Sequence, residues 1–162
     1  FKGGQSISGF SHSSPSLVSN YQFAITPSST DSVFLATYNI VISAPSDHVL
    51  VKAVAMIDGG SWTYLGRSKA SMDNAVGYYD FGSWRVGAIT NSSVEKTHSF
   101  YYAPATTSEI TFGMYAGQHS GTMYFGRGES DSTDDYTGLG MTIRVDEYNS
   151  TSELVNTEYT SG

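Results

Sequence analysis

The chain is 162 residues long with a mass of 17.4 kDa, the size of one domain that buries about 70% of its unfolded surface without help from disulfides or metals. It contains no cysteine, which excludes disulfide scaffolds, thiol nucleophiles, iron–sulfur clusters and cysteine-ligated zinc. Eight Lys and Arg against fifteen Asp and Glu leave a net charge of −7, so neither nucleic acid nor membrane insertion is expected, and no apolar run reaches the roughly 18 to 20 residues of a membrane span.

The chain opens on Phe1-Lys2-Gly3-Gly4, neither a signal peptide nor an initiator methionine, as expected of the mature part of something longer. No window of twelve residues combines a 3.6-residue apolar stripe with helix formers, so strands are expected throughout. A first short strand is predicted over 21–26. Residues 33–43 (Val-Phe-Leu-Ala-Thr-Tyr-Asn-Ile-Val-Ile-Ser) are β-branched and aromatic, bounded by turn residues, and predict a central strand. A second strand over 48–58 follows the Pro45-Ser46-Asp47 turn and ends at Gly59-Gly60, so the two are expected to form a hairpin. Shorter strands are predicted over 62–65, 76–81, 84–89, 97–102, 109–116, 122–126 and 140–146. In the last of these, alternation sets Ile143 and Val145 on one face and Thr142, Arg144 and Asp146 on the other. About ten strands at this spacing predict an all-β, antiparallel sandwich or barrel over residues 1–148. The polar tail 149–162, with Leu154 and Val155 as its aliphatic residues, reads as an arm or linker.

Little in the chain marks chemistry. There is no G-x-S-x-G elbow, Walker loop, H-E-x-x-H or G-x-G-x-x-G, and His12, His48, His98 and His119 lie singly rather than at ligand spacing. No enzymatic activity and no cofactor are expected. The acidic segment 129–135 offers Asp131, Asp134 and Asp135 as hard oxygen donors of the kind calcium takes, but without EF-hand spacing, so a solvated turn is the competing reading. Aromatic residues are more informative. Trp62, Tyr64, Tyr78, Tyr79, Phe81 and Trp84 crowd a Gly- and Ser-rich region, with Asp73, Asn74, Asp80 and Arg85 as polar neighbours. Flat rings flanked by hydrogen-bonding groups suit a glycan, while the same rings would also fill a core or a subunit interface.

Several blocks carry a family likeness: residues 24–33 (Ala-Ile-Thr-Pro-Ser-Ser-Thr-Asp-Ser-Val), residues 99–112, which run from Ser-Phe-Tyr-Tyr-Ala-Pro-Ala-Thr-Thr-Ser to Phe112, residues 121–127, and the closing 141–148 (Met-Thr-Ile-Arg-Val-Asp-Glu-Tyr). In this order they resemble the β-rich virion proteins of tailed bacteriophages, marine and cyanobacterial ones especially. The resemblance implies a jelly-roll-like sandwich in a tail fibre, spike or capsid decoration, extracellular and often trimeric, and brings no catalytic residues. Expected partners are then further copies of the chain, other virion proteins, and a host-surface glycan or protein bound through loops. A cement protein that binds capsid subunits and a secreted carbohydrate-binding module are the alternatives.

Overall fold

The computed structural model describes residues 5–8, 16–43, 49–65, 83–86, 94–118, 122–125 and 141–149. They form eleven strands and no helix: β1 (Gln5–Ser8), β2 (Ser16–Leu17), β3 (Phe23–Ile25), β4 (Val33–Ser43), β5 (Val49–Ile57), β6 (Trp62–Tyr64), β7 (Ser83–Val86), β8 (Val94–Tyr102), β9 (Ile110–Gln118), β10 (Thr122–Phe125) and β11 (Thr142–Tyr148).

Four long strands organise the rest. β4 pairs with β8 from Phe34↔Tyr102 to Ile42↔Val94, and β5 pairs with β9 from Val49↔Gln118 to Ile57↔Ile110. Each pair is the centre of an antiparallel sheet, completed by shorter strands laid end to end. Along the other edge of β4 run β11 and β10, with β1 beside β10, and this is sheet A. In sheet B, β3 and β2 share the far edge of β9, and β6 and β7 share the far edge of β5. The antiparallel sandwich expected from the period of two is the fold that forms.

Period-two alternation builds the core. Phe34, Ala36, Tyr38, Ile40 and Ile42 of β4 are fully buried, as are Val51, Ala53 and Ala55 of β5 and Ile110, Phe112, Met114 and Ala116 of β9. Phe34 and Phe112 meet edge to face across the sheets with centroids 5.9 Å apart, and Tyr102 closes on Phe112 at 6.1 Å. Tyr38 lies at the centre, its hydroxyl 3.4 Å from the Val54 carbonyl and its acidity suppressed by burial.

The expected hairpin between β4 and β5 does not exist. Both strands carry an apolar face large enough for the middle of a sheet, and in one sheet they could not cover each other, so the chain crosses from sheet A to sheet B between them. The hairpin signal belongs one turn later. Asp58 (φ 48°) and Gly59 (φ 66°) are both left-handed, and Gly60 N–H donates to the Ile57 carbonyl at 2.9 Å, the pattern that turns β5 into β6.

β11 is anchored at both ends. Near its start, the Tyr21 hydroxyl donates to the Asn39 carbonyl at 2.8 Å and to that of Thr142, which face each other across the β4–β11 ladder. Near its finish, Glu147 Oε1 accepts from Ser28 N–H (2.7 Å), Ser28 Oγ (2.8 Å) and Ser32 Oγ (2.6 Å), which pins the turn between β3 and β4. These bonds, Ser32 first, hold the Glu147 carboxyl below the usual carboxylate range. Two of the blocks quoted above, 24–33 and 141–148, thus meet in one clasp. Ile143 and Val145 pack against the core and Arg144 lies exposed on the other face, as their alternation predicts.

Candidate functional site

Alternation that sends Val51, Ala53 and Ala55 inward sends Lys52, Val54 and Met56 to the outside of sheet B, opposite Tyr115, Gly113 and Thr111 of β9. The three-residue strand β6 adds Trp62 opposite Met56 and Tyr64 opposite Val54, and β2 adds Leu17 opposite Tyr115. The result is an aromatic layer outside the sandwich. Trp62 and Tyr115 are perpendicular with centroids 6.3 Å apart, and Tyr64 lies 6.2 Å from Tyr115 at 50°.

A glycine makes the seat. A Cβ at Gly113 would stand 3.2 Å from Cη2 and Cζ3 of Trp62 and 3.4 Å from Cδ1 of Leu17, so a side chain at this position would crowd the indole and make it shift. Val54 is fully buried beneath the layer. Lys52 is 8% exposed, with Nζ 5.5 Å from the centroid of Tyr64, a cation–π distance. The three rings themselves are only partly covered.

Of the residues singled out in the sequence, Trp62 and Tyr64 are brought together here, and neither fills the core between the sheets. Trp84 and Arg85 lie on β7, opposite Val51 and Leu50, along the same edge of β5 as β6; their side chains are outside the described residues. Tyr78, Tyr79, Asp80, Asp131, Asp134 and Asp135 also lie outside the described residues. Among the described residues no three His, Asp or Glu side chains converge as a metal site would require. Sequence reasoning missed Tyr115, Lys52, Leu17 and Gly113. The signal was present in β9, whose outward positions read Thr111, Gly113, Tyr115, Gly117 against inward Ile110, Phe112, Met114, Ala116. Glycines confined to one face of a strand mark a close approach.

Sheet A turns a different surface outward: Glu95, Thr97, Ser99 and Tyr101 on β8, Leu35, Thr37 and Asn39 on β4 between the buried Val33 and Val41, and Thr142, Arg144, Asp146 and Tyr148 on β11. Hydroxyls, amide and charged groups occupy most of its outward positions, with Leu35, Tyr101 and Tyr148 among them. The sandwich is therefore two-faced, with an aromatic and aliphatic layer on sheet B and a hydrogen-bonding layer on sheet A.

No protein-family model matches the chain, and no curated protein does. Among solved structures, one that is similar is a chain in the structure of infectious bursal disease virus, Gx strain, at 10% identity and a TM-score of 0.33. The match covers 89% of this chain and 37% of that one, so the chain spans little more than a third of the length of its structural neighbour. The sandwich described above rests on its own ladders and core.

Proposed function

We propose that the chain is a non-enzymatic structural module of a tailed-phage virion, an exposed fibre or spike domain that meets the host through the aromatic face of sheet B. The observation that carries this reading is the layer itself: three rings, an aliphatic neighbour and a nearly buried lysine stand on the outside of a sheet whose core is already complete without them. Apolar groups grouped on a sheet surface mark a contact more often than chance exposure does. The blocks that resemble phage virion proteins supply the setting.

Ring geometry bears on the ligand. A sugar stacks on an open, flat ring, whereas Trp62 and Tyr115 pack edge to face and Trp62 is seated on Gly113 beside Leu17. This relief suits a protein surface better, with the rings as its anchors. The same feature favours a second reading, a decoration protein whose partner is a capsid subunit.

Substitution of Trp62 by Ala in the virion separates the two. The fibre or spike reading expects host attachment to fall by about 30-fold or more, the loss of a contact worth roughly 2 kcal/mol, with particles assembled and stable. The decoration reading expects particle stability to fall while attachment survives. Unchanged attachment and unchanged stability together would remove sheet B from both.

A further inference from the structure

The outer face of sheet A carries chemistry that the contact proposed for sheet B does not use. Tyr101 is 53% exposed, one of two large hydrophobic side chains left so open among the described residues. It stands on β8 in register with Leu35 of β4, which in turn faces Asp146 of β11. Two strand spacings therefore separate the backbone positions of Tyr101 and Asp146, about 10 Å. The next row, one side-chain repeat or about 7 Å along, is Ser99, Thr37 and Arg144, and the row after it is Thr97, Asn39 and Thr142.

The polar groups of this lattice are held in place. Thr37 Oγ1 and Ser99 Oγ are 2.8 Å apart, Asn39 Nδ2 donates to Glu95 Oε1 at 2.7 Å, and Arg144 Nε donates to Asp146 Oδ1 at 3.0 Å and lies 2.9 Å from Oδ2 as an ion pair. Arg144 is 75% exposed and Asp146 31%, so the pair retains donors and acceptors toward solvent. Pairing fixes rotamers in advance, which lowers the entropy lost when a ligand is bound.

From these positions we infer that the outer face of sheet A is a binding site for an uncharged glycan, with one sugar ring stacked on Tyr101 and the next reaching the Thr37–Ser99 hydroxyls and the Arg144–Asp146 pair. A pyranose presents a C–H face to an aromatic ring and hydroxyls at its rim, and this surface offers a ring that is 53% exposed, with donors and acceptors one to two sugar lengths away. Charge selects against acidic sugars. Arg144 is neutralised by Asp146, Glu95 adds a negative charge, and the chain as a whole carries −7. The site is independent of the sheet B contact.

The test is an array of neutral hexose oligosaccharides and their uronic-acid counterparts probed with the full chain, followed by amide-shift mapping of the strongest neutral hit. The inference expects neutral binding, shifts centred on Thr37, Ser99, Tyr101, Arg144 and Asp146, at least a tenfold loss of affinity in Tyr101→Ala, and retention in Tyr101→Phe. Trp62→Ala is expected to bind the glycan as the unsubstituted chain does, so failure of the sheet B reading leaves this one standing. Absence of any neutral hit, preference for acidic sugars, shifts on Trp62 and Tyr115, or full affinity in Tyr101→Ala would each overturn it.

Discussion

Glu147 shows how much one side chain settles. A single carboxylate oxygen collects three hydrogen bonds from the turn before β4, and through them ties the last described strand to the first long one. Its carboxyl is held below the ordinary value of about 4.3, so the unfolded chain binds the proton more readily than the folded one. The stabilisation is complete above the ordinary value and is lost as pH falls through the folded one. Thermal melts between pH 6 and 2.5 are expected to show a steeper acid decline for the unsubstituted chain than for Glu147→Gln, which loses part of the clasp at every pH. His98 acts in a higher window. Burial, with Lys96 nearby, lowers its pKa, so it withholds a proton that the unfolded chain takes up and stability declines as pH falls from about 6.5.

Aromatic residues divide at the same scale. Phe112 is fully buried between the sheets and touches Phe34 and Tyr102, whereas Trp62 is half-covered on the outside. Urea unfolding is expected to show a loss of about 3–5 kcal/mol for Phe112→Ala. Trp62→Ala should cost less than half of that if its place is the surface layer, and an equal cost would move it to the core. Gly113→Val tests the seat without removing the indole. A red shift of tryptophan emission with an intact core is the expected result.

At the scale of elements, the long strands were legible and so were most short ones, since β3, β6, β7, β10 and β11 overlap the strands predicted over 21–26, 62–65, 84–89, 122–126 and 140–146. Val33–Ser43 was read with its observed limits, because a long run rich in β-branched and aromatic residues between turn residues favours a strand. β5, β8 and β9 came within three residues at each end for the same reason. β1 and β2 were missed: four and two residues of Ser, Gln, Ile and Leu have too little pattern to stand out, and they are strands because β10 and β9 supply their ladders. The β4–β5 hairpin failed because local turn chemistry says that the chain reverses, not which sheet it enters next. Asp58-Gly59 was the stronger hairpin signal, and Gly59→Val is expected to cost about 1–2 kcal/mol, since a β-branched residue is strained at φ 66°. A cost near zero in chemical unfolding would show that the turn relaxes to another type. Of the candidate site, Trp62 and Tyr64 were legible as unusual aromatics, but that they face outward depends on register with β5, which no local pattern carries.

For the molecule as a whole, a finished core and two dissimilar faces make assembly the main question. An apolar layer on one face is a reason for the chain to bind something, and a cyclic homo-oligomer, most simply a trimer as the phage resemblance implies, would set several sheet A faces side by side. Light scattering at micromolar concentration is expected to give a mass near three times 17.4 kDa, with the copies joined by surfaces other than the sheet B layer, while a stable monomer would contradict the trimer. The central claim is that this chain is a virion module with sheet B against protein. Cryo-electron microscopy of purified particles, alone and bound to host envelope, tests it most directly. Copies of the sandwich are expected on the particle exterior, with Trp62, Tyr64 and Tyr115 facing protein density of the host in the bound state; particles without the chain, or with that layer in open solvent in both states, would contradict this virion role.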